Sequence, residues 1–229
     1  MVEERHPIMD GSPVFWAAFK FVLLGPVLHL LFRPKVTGLE HIPAEGGALV
    51  AANHVSFLDP LLLPLVVPRR RVMFLTKMKY INRSSLRWFI RGAGAIPVAT
   101  NDRDAASEVV AAGVHAVRQG KLVGIFPEGT RSRDGRLQRG KTGVARIAIE
   151  AGVPVIPAGI VGTNRAFPPG ARLPRPRSVQ IKFGPSIRFA APAGTVPDPP
   201  VSRRATDEVM GAIQALSGQQ VSTDPASED

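Results

Sequence analysis

Ala48-Leu49-Val50-Ala51-Ala52-Asn53-His54-Val55-Ser56-Phe57-Leu58-Asp59-Pro60 is the stretch on which the reading of this chain turns. Five apolar residues in a row describe a strand buried on both faces. The run ends in Asn53 and His54, and Asp59-Pro60 opens a helix. Active-site groups gather at the carboxyl ends of such strands in α/β folds. An imidazole held by a carboxylate is the basic half of a catalytic triad, because the carboxylate sets the tautomer and stabilises the imidazolium. Taken alone, the stretch is equally compatible with a structural histidine and an Asp-Pro turn. The chain has no cysteine and no Gly-x-Ser-x-Gly elbow to supply a nucleophile. A base at His54 would therefore act on a hydroxyl brought by a substrate.

Outward from this stretch, apolar runs alternate with helical patterns. Strands are expected at Lys35 to Leu39, Gly47 to Asn53, Arg71 to Thr76, Gly94 to Val98, Lys121 to Phe126, Pro154 to Val161 and Ser178 to Phe183. Helices are expected at Leu58 to Val66, Ser84 to Arg91, Asp104 to Gln119, Thr142 to Ala151 and Ser202 to Leu216. This alternation predicts an α/β fold, a single domain over 34–217 with a largely parallel central sheet flanked by helices. Residues 218–229, polar and acidic at the end, read as a disordered tail.

Residues 1–33 read as an apolar N-terminal helix or helical hairpin. Val14 to Phe32 is mostly apolar and approaches the length of a membrane span, with Lys20, Pro26 and His29 as interruptions. Met1 to His6 is no basic lead-in, so a retained segment in the membrane interface is expected rather than a cleaved leader. An ordinary buried first helix is the alternative.

The net charge of +11 points to an anionic partner. It is unevenly spread. No acidic residue lies between Asp59 and Asp102, nor between Glu150 and Asp198, and both stretches are rich in arginine. One tyrosine, two tryptophans and no recognisable nucleic-acid motif argue against nucleic acid. No His/Asp/Glu cluster suggests a metal.

A second polar group leaves the strand ending at Phe126: Pro127-Glu128-Gly129-Thr130-Arg131-Ser132. Gly140-Lys141-Thr142-Gly143 then opens a helix. An arginine fork suits a phosphate, and a helix start with a lysine is a ready anion site. Gly135 to Thr142 also matches the Gly-x-x-x-x-Gly-Lys-Thr phosphate-loop pattern. It does not leave its strand at the first glycine, as a phosphate loop should.

Asn53-His54-x-x-x-x-Asp59, followed some seventy residues later by Phe126-Pro127-Glu128-Gly129-Thr130-Arg131, resembles the glycerolipid acyltransferases, and best the 1-acylglycerol-3-phosphate acyltransferases. Val153-Pro154-Val155-Ile156-Pro157 is similar to that family's last apolar block. The resemblance implies transfer of a fatty acyl group from acyl-CoA or acyl carrier protein to lysophosphatidate, in phospholipid synthesis at the cytoplasmic face of a membrane. Glycerol 3-phosphate or another lysophospholipid is the alternative acceptor. It implies His54 as general base and Asp59 as its orienting group. Asn53, Glu128, Gly129, Thr130, Arg131 and Lys141 would bind substrate, with no cofactor beyond the acyl donor and no metal. One block departs from the pattern. The family arginine expected shortly after Gly94-Ala95-Ile96-Pro97-Val98 is replaced by Ala99-Thr100, and Arg103 is the candidate to take its place.

Overall fold

The computed structural model describes residues 8–77, 94–98, 105–168, 170–190 and 194–222. Seven strands form one sheet: β1 (Lys35–Thr37), β2 (Ala48–Ala52), β3 (Val72–Lys77), β4 (Ile96–Val98), β5 (Leu122–Ile125), β6 (Val155–Val161) and β7 (Gln180–Phe183). Their order is β1-β7-β6-β2-β5-β3-β4. Every neighbouring pair is parallel except β6 and β7. The seven expected strands are present, within a few residues of their predicted ends. The expected helix at Ser84 to Arg91 lies outside the described residues.

β2 sits at the centre between β5 and β6, and all five of its residues are buried. Its pleat divides them between two cores. Leu49 and Ala51 pack with Val110, Ile147, Val209 and Ile213 of the helices α4 (Ala105–Arg118), α5 (Gly143–Ala151) and α7 (Pro199–Ser217); the short α6 (Thr163–Ala166) follows β6. Ala48, Val50 and Ala52 pack with Leu62, Leu63 and Val66 of α3 (Asp59–Val66), and with Phe19, Leu28 and Phe32 of the N-terminal helical run. A strand covered on both sides needs an apolar residue at every position, which is why its sequence is continuous rather than alternating.

The N-terminal run is one helical segment, Pro13–Phe32, and not a hairpin. It comprises α1 (Pro13–Ala18), a π-turn (Phe19–Leu23) and α2 (Leu24–Phe32). Pro26 explains the π-turn: it has no N–H to donate, and in a regular helix its ring would strike the carbonyl of Val22. Ser12 caps the start, accepting a hydrogen bond from the Phe15 amide at 3.2 Å. The buried Lys20 donates from Nζ to the Val67 carbonyl and pins the run to the end of α3. Phe21, Val22, Leu23, Val27 and Leu30 stay exposed.

Of the tail expected to be disordered, residues 218–222 are ordered by hydrogen bonds, and the rest lies outside the described residues. The Leu137 amide donates to the Gln220 carbonyl at 2.9 Å, and the Ser222 amide to the Leu137 carbonyl at 2.9 Å. Residues 218–222 are thus strapped to the loop that follows β5.

Candidate active site

Because β2, β5 and β6 run parallel, their carboxyl ends share one rim. β2 delivers His54 there, and β5 delivers the loop carrying Glu128 and Arg131. His54 Nδ1 lies 2.9 Å from Asp59 Oδ2. The same oxygen accepts the amides of Val55 at 2.8 Å and Ser56 at 2.7 Å. One fully buried carboxylate oxygen therefore organises the whole turn between β2 and α3. The His54 side chain keeps 16% of its surface, enough to meet a substrate. Among the described residues Asp59 Oδ1 is buried without a hydrogen-bond partner. With the proton on Nδ1 facing Asp59, Nε2 keeps its lone pair and can act as a base.

The imidazole plane is fixed by stacking. Its centroid is 4.1 Å from that of Phe126, with 15° between the planes, and Phe126 in turn stacks on Phe74 at 5.2 Å. Room for Phe74 comes from its cross-strand partner Gly124. A Cβ on Gly124 would sit 2.6 Å from Phe74 Cε1. Phe74 and Gly124 escaped the sequence reading, because neither carries polar chemistry and their pairing depends on sheet order.

Two residues expected to bind substrate also make hydrogen bonds within the protein. Glu128 is buried; Oε1 accepts the His54 amide at 2.7 Å, and Oε2 accepts the Gln138 amide at 2.8 Å. Burial pushes its carboxyl up to about 7, with the charges of Asp59 and Asp134 adding to the rise and the two amides opposing it. Glu128 is a bracket between the base and the loop. Asn53 is likewise buried. Its Oδ1 accepts the Ile160 amide at 2.7 Å, and its Nδ2 donates to the Ile160 carbonyl at 2.9 Å and to Gln219 Oε1 at 2.7 Å. It ties β6 to the rim. The loop is fastened to the base a second time, since the Ser132 amide donates to the His54 carbonyl at 2.8 Å.

Of the remaining expected residues, those described reach the surface of the same rim. Gly129, Thr130 and Lys141 are exposed. Gly129 has φ 74°, and a Cβ there would lie 3.3 Å from Lys141 Nζ, so the lysine lies along the Gly129 turn. The guanidinium of Arg131 lies 3.4 Å above the ring of Phe57, a solvent-exposed residue of the His54–Asp59 turn. Arg131 is thereby brought to the base by a residue between His54 and Asp59. Arg103 lies outside the described residues. Among the described residues no group of three or more His, Cys, Asp or Glu side chains is gathered for a metal ion.

The phosphate-loop reading of Gly135 to Thr142 fails on hydrogen bonding. Such a loop cradles phosphates with free backbone amides. Here the Arg136 amide donates to Asp134, that of Leu137 to Gln220, that of Gln138 to Glu128 and that of Lys141 to Pro127.

Residues 33–161, more than half of the chain, match the family model for acyltransferases. A chloroplastic 1-acyl-sn-glycerol-3-phosphate acyltransferase of Brassica napus is 31% identical over 145 residues, covering 63% of this chain and 42% of that protein. A 1-acyl-sn-glycerol-3-phosphate acyltransferase of Borreliella burgdorferi is 29% identical over 148 residues, covering 58% and 52%. The chain thus spans about half the length of these curated relatives. The crystal structure of the 1-acyl-sn-glycerophosphate acyltransferase PlsC from Thermotoga maritima superposes with a TM-score of 0.62 at 26% identity, covering 86% of this chain and 80% of that one. The family match runs from β1 through β6 and takes in both the His54–Asp59 turn and the loop carrying Glu128 and Arg131, so this chain belongs to the acyltransferase family.

Proposed function

We propose that this protein transfers a fatty acyl group from the thioester of acyl-CoA or acyl carrier protein to the free hydroxyl of 1-acylglycerol 3-phosphate, forming phosphatidate. The observation that carries the reading is His54 held at Nδ1 by a buried carboxylate, with a guanidinium and an ammonium on the adjoining loop. His54 Nε2 takes the proton of the acceptor hydroxyl as its oxygen attacks the thioester carbonyl carbon. The tetrahedral intermediate collapses, the carbon–sulfur bond breaks, and the departing thiolate recovers the proton from Nε2. General-base help of this kind is worth about 10²–10⁴-fold. Asp59 stabilises the transient imidazolium. Arg131 and Lys141 hold the acceptor phosphate.

The same reading places the protein on the cytoplasmic face of a membrane, as a monotopic enzyme. Pro13–Phe32 is long and apolar enough to cross a bilayer. Its inward face is spoken for, however, by Phe19, Leu28 and Phe32 in the core. That leaves the exposed face to lie in the interface. A basic strip continues from it to the active-site rim. The Arg177 amide donates to the Leu31 carbonyl at 3.1 Å. Arg165, Arg172, Arg175 and Arg177 are exposed along the connection to Phe167, whose ring is 6.5 Å from that of Phe57. Apolar insertion plus basic headgroup contact supplies the two signals that stable anchoring needs.

The test is acyl transfer by purified protein in detergent, wild type against His54→Ala, with lysophosphatidate and acyl-CoA. Acyl carrier protein serves as second donor and glycerol 3-phosphate as second acceptor. Transfer to lysophosphatidate that is lost in the variant is the expected result. Folded wild-type protein inactive with every pair would overturn the reading.

A further inference from the structure

Among the described residues, Gln219 is the side chain through which the C-terminal strap touches the active site. Gln219 Oε1 accepts from Asn53 Nδ2 at 2.7 Å, and Gln219 Nε2 donates to the Gly135 carbonyl at 2.6 Å. Asn53 immediately precedes the candidate base. Gly135 lies midway along the loop that begins with Glu128 and Arg131. The strap grips that loop twice more, through both backbone groups of Leu137, and the next residue, Gln138, donates to Glu128. Gln219 is itself held by a bond from its amide to Ser217 Oγ at 3.3 Å, at the end of α7. α7 packs on the opposite face of the sheet from α3, with Val209 and Ile213 fully buried there.

The loop from Glu128 to Gln138 therefore has two sets of anchors. One set fixes it to His54, through the Glu128 carboxylate and the Ser132 amide. The other fixes it to the C-terminal strap. A long loop held at one edge alone would pivot about that edge. The second set removes the pivot and so sets where Arg131 stands relative to the base.

We propose that Gln219 is a positioning residue for acyl transfer: it bridges Asn53 beside the general base to Gly135 in the phosphate-gripping loop, and with residues 220–222 holds that loop at a fixed distance from His54. This rests on lysophosphatidate as the acceptor at the same site. It does not require Gln219 to touch substrate. The glutamine is suited to the bridge because its amide carries an acceptor for Asn53 and a donor for Gly135 at once. Methionine in its place keeps the length and loses both bonds.

The variants Gln219→Met and Gln219→Ala are compared with wild type in three measurements. Thermal unfolding reports global stability. Steady-state kinetics give KM for the lysophospholipid and for the acyl donor separately. Limited trypsin digestion reports the loop directly, because Arg131, Arg133 and Arg136 are cleavage sites within it. Both variants are expected to raise the acceptor KM roughly tenfold, the scale of losing two neutral hydrogen bonds, and to speed cleavage in the loop. The donor KM stays near wild type, and the unfolding temperature falls by no more than a few degrees, the scale of losing such bonds in a chain of this size. Unchanged loop cleavage would overturn the proposal. So would a fall in unfolding temperature with kcat and both KM values following the folded fraction, since that marks a purely structural contact. If wild type transfers no acyl group to any lysophospholipid, the acceptor reading fails, and the digestion still decides whether Gln219 restrains the loop.

Discussion

Replacing Glu128 with glutamine should separate what this carboxylate does for the base from what it costs the fold. In the native protein each of its oxygens accepts one backbone amide, from His54 at 2.7 Å and from Gln138 at 2.8 Å. Burial nevertheless dominates, and the carboxyl is raised from 4.5 to about 7. A carboxyl raised on folding binds its proton more tightly in the native state. Its contribution to stability is fully present below about pH 4.5 and is lost as the pH climbs through about 7. The size of that loss is on the order of 3 kcal/mol, taking about 1.4 kcal/mol for each unit between the two values. Glutamine has no such titration. It offers one acceptor where the ionised glutamate offers two, so one of the two amides faces an NH₂ group. The assay is urea unfolding of both proteins at pH 5 and pH 8, with acyl transfer measured in parallel. Relative to wild type, Glu128→Gln should gain stability between pH 5 and pH 8, while its kcat is lower at both. A stability difference that does not change with pH would refute the argument from burial. Full activity would refute the role of Glu128 in holding His54.

Asp59→Asn should lower kcat about 10²–10⁴-fold, because its amide oxygen can still accept from His54 but brings no charge to stabilise the imidazolium. It should also cost about 1–3 kcal/mol in urea unfolding, since an NH₂ would occupy the partnerless Oδ1 position. Gly124→Ala should push Phe74, and through it Phe126 and His54, out of register. About 1–3 kcal/mol of destabilisation from overpacking is expected, with a fall in kcat; unchanged calorimetry and kinetics would show that the stack yields freely. Phe57→Leu removes an exposed ring and should leave the unfolding temperature alone. It should raise the acceptor KM a few-fold, as expected for an exposed cation–π contact of about 0.5–1 kcal/mol.

His54 and Asp59 were legible because they are five residues apart. A pair that close belongs to one turn wherever the fold puts it. Strand and helix positions were legible for the same reason, since their signals repeat over two to four residues. β2 shows this most plainly, where five apolar residues announce a strand covered on both faces. Glu128 marked its loop as polar and site-bound, but its role was not readable, because its partner His54 lies 74 residues away. The bond between Asn53 and Gln219 spans 166 residues and exists only because α7 returns the chain to the loop after β5. The distance of Gly135 from its strand already argued against a phosphate loop at Gly135 to Thr142, and the tertiary structure adds the reason in hydrogen bonds, giving the amides of Arg136, Leu137, Gln138 and Lys141 protein acceptors. The chain by itself determined its alternating α/β order, its apolar N-terminal helix, its acid-free basic stretches and the His–Asp turn, all carried by near neighbours. Sheet order, the antiparallel β7, the aromatic stack under His54 and the buried amide brackets were decided only on folding. Each depends on groups far apart in sequence, whose pairing is favourable only once burial has made an unpaired polar group expensive.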